Sequence, residues 1–194
     1  TDGLALHAIK LIFQNLKKSY DGDMKARAVM HDAQCLAGMA FSNALLGIVH
    51  SMAHKSGAIF KQDGQTVHIV HGCANAMYLP KVIQYNAKNL RAKKRYAEIA
   101  SLIGIRGGSQ AAKVDKLIEA INALRESVNV PSCIKDYDDG HGGKVSEAEF
   151  LSKLDKMADD AIGDACTGSN PRIPTHEEMV ELYKACYYGT DVDF

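Results

Sequence analysis

The spacing of the apolar residues limits the possible folds of this chain more than any other feature. They recur at intervals of three and four in segment after segment, and nowhere alternate over the length of a regular strand. In "TDGLALHAIKLIFQNL" the series Leu4, Leu6, Ile9, Leu11, Ile12, Phe13 and Leu16 predicts a first helix, capped by Thr1 or Asp2 and ended by "SYDGD". His7 on that helix reads as a solvated or core residue. From Lys25 to His54 the pattern continues through a proline-free run rich in Ala and Gly, predicting a long helix packed backbone to backbone at the centre of a bundle.

Punctuation residues mark the remaining elements. Gly57 and Asp63-Gly64 break the pattern inside "KSGAIFKQDGQTVHIV", with Thr66 to Val70 as a short strand or extended loop. A helix opens at His71-Gly72 and is expected to bend or end near Pro80. "NLRAKKRYAEIASLIG" reads as a helix with a solvated basic face, and "SQAAKVDKLIEAINALRESVNV" as one stopped before Pro131. In "SEAEFLSKLDKMADDAI" Ser146 and Glu149 have the spacing of a capping box, and "THEEMVELYKACYYG" is capped at Thr175 and closed near Gly189. There is no βαβ rhythm and no internal repeat. The class is all-α, in one helical, bundle-like domain over residues 1–194.

Charge and cysteine usage narrow the function. Lys plus Arg balance Asp plus Glu at 23 each, which gives no ground for a nucleic-acid partner or an anionic membrane surface. The five cysteines are scattered without C-x-x-C spacing, so neither a disulfide framework nor a zinc ribbon is indicated and a reducing cytoplasm fits best. "CLAGMAFSNALLGIVHSMAH" carries Ser42, Asn43, Ser51 and two histidines, and reads as a buried helix, not a membrane span. No signal peptide is visible, and a start at Thr1 leading straight into a capped helix gives the expectation of a piece of something longer.

Two stretches suggest metal. "DYDDGHGGKVSEAEF" resembles a calcium-binding EF-hand loop with Asp138 first and Glu149 twelfth, but Gly140 and Gly142 stand where two oxygen ligands belong, so a glycine-rich surface loop is the preferred reading. "GIVHSMAHKSGAIFKQDGQTVHIVHG", residues 47–72, holds four of the chain's eight histidines. His50 and His54 are four apart, one turn along a helix face, and His71 follows after a loop. Two or three converging imidazoles can hold zinc or iron, yet a catalytic site normally needs at least three protein ligands.

Three ordered segments carry a resemblance. "AGMAFSNALLGIVHSMAHKSGA", "VHGCANAMYLPKVIQYNA" and "DACTGSNPRIP" resemble the iron-dependent (group III) alcohol dehydrogenases, most of all the alcohol dehydrogenase half of the bifunctional aldehyde-alcohol dehydrogenases. "TDGLALHAIKLIF", "KRYAEIA" and "CYYG" also fall in order, so the likeness covers essentially the entire chain. It implies the C-terminal helical domain of a dehydroquinate synthase-like fold, without the N-terminal nucleotide-binding domain that would be its partner. In that family one aspartate and three histidines hold the metal. An Asp-x-x-x-His pair comes from a segment ahead of Thr1, and His50 and His71 match the other two histidines. His54 matches a histidine close to substrate and nicotinamide that is not a primary ligand, which implies a catalytic and cofactor-contacting role, and Phe41 and Cys166 match the wall of the substrate cavity.

The implied cofactors are Fe(2+), with zinc as alternative, and NAD. The implied substrate is a small alcohol or its aldehyde, ethanol and acetaldehyde, in an enzyme that forms homo-oligomers. The sequence departs from the family in "FKQDGQTVHIVHG", which is longer than usual and has Val70 where proline is common, making His68 a rival to His71; the "HG.AN" continuation favours His71. Two other functions compete: a helical assembly or regulatory module that keeps the dehydrogenase fold without turnover, and, third, a calcium sensor.

Overall fold

The computed structural model describes residues 1–194 throughout. In chain order it holds α1 (Asp2–Tyr20), α2 (Met24–Ala44), α3 (Ile48–Ser56), β1 (Lys61–Gln62), β2 (Gln65–Thr66), α4 (His71–Asn86), α5 (Leu90–Leu102), α6 (Gln110–Ser127), α7 (Glu147–Ile162) and α8 (His176–Tyr188), with 3-10 turns at Ile134–Asp136 and Thr167–Ser169. The all-α expectation holds, since the strands are one small hairpin pairing Lys61 with Thr66 and Gln62 with Gln65. Asp63 and Gly64 turn it with φ of 51° and 82°, the doubly left-handed turn that matches strand twist. No single helix is long and apolar enough to cross a membrane. All five cysteines are free thiols.

The chain divides into two compact units, Thr1–Leu45 with Leu90–Asn129, and Leu46–Asn89 with Val130–Phe194. In the first, α1 packs along α2 and α5 along α6. The long helix expected over Lys25–His54 is in fact two helices. Asp23 caps α2 by accepting from the N–H groups of Lys25 and Ala26, and α2 ends where Leu45 takes φ 64° and ψ 179°. That backbone region is almost reserved for glycine and costs a leucine about 1–3 kcal/mol. Nor is α2 buried all round. Ala26, Ala33 and Ala40 form one buried stripe at seven-residue spacing, while Met24, Met39 and Phe41 are exposed.

The second unit is built on α3, α4, α7 and α8. Its core sets Phe60, Phe150, Tyr78, Tyr183 and Tyr187 among Met52, Met77 and Met157, with Phe150 and Tyr187 stacked at 4.2 Å. Each buried tyrosine hydroxyl finds an acceptor: Tyr78 donates to Ser56 Oγ at 2.8 Å, Tyr183 to the Met52 carbonyl and Tyr187 to the Val145 carbonyl, both at 3.0 Å. Pro80 does not end α4, which continues to Asn86. Its missing N–H leaves the Ala76 carbonyl without a helical donor, but the helix is buried from Ala74 through Met77, Tyr78, Val82 and Tyr85, and that packing outweighs one lost bond.

One local expectation changes in detail, and a second gains a physical basis. Ser146 accepts from the Glu149 N–H at the start of α7, but the Glu149 carboxylate turns away to the Lys61 N–H at 2.9 Å, so only half of the capping box forms there. The complete box lies at α8, between Thr175 and Glu178. In the glycine-rich loop Asp138 accepts from the N–H groups of Gly140 and Gly142, and Asp139 from those of His141 and Gly143. The loop is therefore closed on its own carboxylates, and a Cβ on Gly143 would collide with the Asp139 carboxylate.

Glu178 also ties the C-terminal segment together. It receives the Tyr85 hydroxyl at 2.8 Å and pairs with Arg172, whose guanidinium lies 3.9 Å over the Tyr85 ring and donates to the Phe194 carbonyl at 2.8 Å. Burial opposes ionisation of this carboxyl, but the Thr175 N–H, the Tyr85 hydroxyl and Arg172 prevail and hold it below the usual glutamate value. A pKa depressed on folding contributes stability above the unfolded value, and that stability is lost as pH falls through the folded one. Urea midpoints of the wild type should therefore fall as the pH drops below the usual glutamate range, and Glu178→Gln should have a flatter acid limb.

Candidate metal and proton-transfer site

The second unit brings three histidines together. His50 and His54 project from one face of the nine-residue α3, and His71 is the first residue of α4. Ring centroids lie 6.1 Å apart for His50–His54, 5.3 Å for His50–His71 and 5.4 Å for His54–His71, the last pair nearly parallel. Rings sharing an ion through roughly 2 Å metal–nitrogen bonds stand at about this separation.

The extended strap between the hairpin and α4 selects His71. The Val67 N–H donates to the Phe60 carbonyl, the Ile69 N–H to the Gly57 carbonyl, and the Val70 N–H to the Tyr137 hydroxyl at 3.1 Å. Successive side chains of an extended segment face opposite ways, so the buried Val67 and Ile69 leave His68 facing outward. His68 lines a separate cleft of about 370 Å3 with Asp63, Asp139 and His141. It is not among the three clustered rings. Phe41 stands in the first unit, where it lines an apolar pocket of about 230 Å3 with Ile9, Ile12 and Leu45.

The electrostatics suit a divalent ion. Burial, then the neighbouring His71 and His54, lowers the pKa of His50, favouring the neutral imidazole that a metal requires. His71 Nε2 lies 2.9 Å from the Asn75 amide nitrogen, while Asn75 Oδ1 is buried with no hydrogen-bond partner. This corner has imidazoles and an unpaired carbonyl oxygen but lacks a donor for that oxygen. The donor set fits a borderline cation such as iron(II) or zinc.

On the far side of His54 lies a group that the sequence did not single out. Asp164 Oδ2 is 3.2 Å from His54 Nδ1 and 2.9 Å from Lys55 Nζ, and Oδ1 accepts the Cys166 N–H at 3.0 Å. Burial works against ionisation of Asp164, yet Lys55, the Cys166 N–H and His54 hold its carboxyl well below the usual range. The Cys166 thiol is pushed up by burial and by Asp164, so it is a neutral group beside that carboxylate. Asp164 lies inside the quoted "DACTGSNPRIP", but its partner His54 is 110 positions away, and only the tertiary fold reveals the pairing.

Loop 163–172 also sets where α3 begins. Asn170 Oδ1 accepts from the Ile48 N–H and the Asn86 amide, both at 3.3 Å, and Asn170 Nδ2 donates to Asn86 Oδ1 at 2.7 Å. The Thr167 hydroxyl donates to the Ala161 carbonyl at 2.6 Å and lies 2.7 Å from Ser51 Oγ. Gly47 is required here, since a Cβ would come within 2.8 Å of Asn170 Oδ1. Asn170→Ala should lower the urea unfolding free energy by about 1–3 kcal/mol for each buried group left unpaired.

Known proteins resemble the chain along its whole length. The profile of the Fe-containing alcohol dehydrogenase family, C-terminal, matches residues 1–187. The NADPH-dependent butanol dehydrogenase of Clostridium saccharobutylicum is 50% identical over 194 residues, 100% of this chain and 46% of that protein. The bifunctional aldehyde-alcohol dehydrogenase of Escherichia coli is 39% identical over 98% of this chain and 22% of its own length. The chain thus spans less than half the length of these curated relatives. Among solved structures, the iron-containing alcohol dehydrogenase of Thermococcus thioreducens superposes with a TM-score of 0.81 at 37% identity, over 97% of this chain and 44% of that one.

Proposed function

Because this chain belongs to the Fe-containing alcohol dehydrogenase family, as its C-terminal domain, we propose that it supplies the helical part of the metal and substrate site of an iron-dependent, nicotinamide-linked alcohol dehydrogenase. The observation that carries this reading is the convergence of His50, His54 and His71 within 5.3–6.1 Å, at the positions where the family's pattern calls for two metal ligands and one neighbouring histidine. The substrate is a short linear alcohol and its aldehyde. Ethanol and acetaldehyde are an alcohol–aldehyde pair of the kind the bifunctional relative is named for, and butanol fits the name of the relative that is 50% identical.

His50 and His71 would hold the metal as neutral imidazoles, the remaining ligands and the nicotinamide site coming from a nucleotide-binding domain outside this chain. Bound there, iron(II) supplies Lewis acidity toward the alcohol or carbonyl oxygen. His54, one turn along α3 from His50, would stand beside that oxygen without serving as a ligand. Its imidazole takes up the hydroxyl proton in oxidation and returns it in reduction. Cys166, neutral and half-buried, contributes to the wall beside it.

The test is metal content by mass spectrometry beside turnover, in a full-length protein carrying this chain behind its nucleotide-binding domain. His50→Ala and His71→Ala should each lose the metal and the activity. His54→Ala should keep the metal and lose about 10²–10⁴-fold in rate, the contribution of a positioned acid or base. His68→Ala should cost little; loss of metal from it with retention in His71→Ala would refute the ligand assignment. Residues 1–194 alone should show no alcohol-dependent reduction of the nicotinamide.

A further inference from the structure

We propose that Asp164 is the positioning residue of His54, its carboxylate accepting the Nδ1–H of that ring and so fixing the tautomer in which Nε2 carries the lone pair. The tautomer follows from the geometry alone; its catalytic meaning rests on the reading of His54 as the proton carrier.

The carboxylate is itself held in place. It lies just beyond the end of α7, with its side chain only 12% exposed. Cys166 N–H fixes Oδ1, while Lys55 Nζ and His54 Nδ1 share Oδ2. The loop behind it is tied by Thr167 to the Ala161 carbonyl, and by the Ser169 hydroxyl to the carbonyls of Cys166 and Leu46. These contacts also keep Asp164 ionised, and an ionised carboxylate has no proton to give. Of the two groups facing each other at 3.2 Å, only the ring nitrogen can donate. A free neutral imidazole in water prefers its proton on Nε2, and Asp164 reverses that preference.

A ring nitrogen of His54, an Asp164 oxygen and Cys166 Sγ all lie within 4.8 Å of one another, a spacing that by itself suits a second cation site. The Lys55 ammonium opposes that use, standing 2.9 Å from the very oxygen a cation would need. The niche is an acceptor for two donors. With Nδ1 occupied, the His54 lone pair on Nε2 is directed away from Asp164. The carboxylate thus holds one nitrogen of the ring and orients the other, which is the positioning role proposed for it.

Long-range proton–nitrogen correlation spectra of the 15N-labelled chain, recorded above the imidazole titration range, read the tautomer directly. His54 Nδ1 should give the protonated, pyrrole-like shift and Nε2 the unprotonated one. Asp164→Ala should exchange the two, whereas Lys55→Met, which leaves the carboxylate in place, should retain the wild-type pattern. A wild-type His54 with its proton on Nε2 overturns the proposal, and that spectrum decides the matter even if Asp164→Ala does not fold. In the full-length protein Asp164→Ala should keep its metal and lower kcat, and the double variant with His54→Ala should be no slower than His54→Ala alone; losses that simply multiply would equally overturn it. The tautomer is read without metal or turnover, so an intact Nδ1–H in a protein with no alcohol chemistry would count against the functional reading and not against this one.

Discussion

The second unit depends on one buried amide. Asn170 reaches the first N–H of α3 and the side chain of Asn86 at the end of α4, so a single side chain fixes the start of one histidine-bearing helix against the end of the other. In the interior such a group is costly if unpaired and strongly directional if paired. The axial position of α3 therefore rests not only on the hydrophobic contacts of Ile48 and Met52, which tolerate sliding, but also on hydrogen bonds that do not. His50 lies two positions after Ile48 and His54 one turn further on, so the placement of the imidazoles follows from this amide pair.

The parts of this architecture legible in the sequence were those encoded locally. Helix periods, the caps at Ser146, Thr175 and Gly189, and the turn at Asp63-Gly64 each follow from residues within a few positions of one another. What escaped was settled by distant partners. The break after Ala44 has no local stop signal apart from Gly47. The start of α3 after the break is instead marked by Asn170, 122 positions beyond Ile48, which accepts the Ile48 N–H. Glu149 left its expected capping bond for a backbone N–H 88 positions away. Pro80 was tolerated because burial on several sides of α4 outweighed one missing bond.

The candidate site divides along the same line. The i, i+4 relation of His50 and His54 is a property of any helix and needed no fold to be seen. Choosing between His68 and His71 by physical means requires knowing which side of the strap faces the core, and that is set by the pairing of Val67 and Ile69 with Phe60 and Gly57. Asp164 could not be found from spacing at all. Its acidity, exposure and partners become visible only when the loop after α7 folds back over the end of α3.

The strap gives the region uneven tolerance to changes in length. Extra residues at the Asp63-Gly64 tip lie beyond the last paired positions and can loop outward without disturbing the strap itself. Between Val67 and His71 the chain has no such freedom, because facing alternates with every residue. A one-residue insertion between Val67 and Ile69 would turn one of these buried residues out of the core, and any insertion before Val70 would move its N–H off the Tyr137 hydroxyl and displace the start of α4 at His71. Length variation among descendants of this chain should thus collect at the hairpin tip, while the four-residue interval from Val67 to His71 acts as a ruler that selection keeps at constant count.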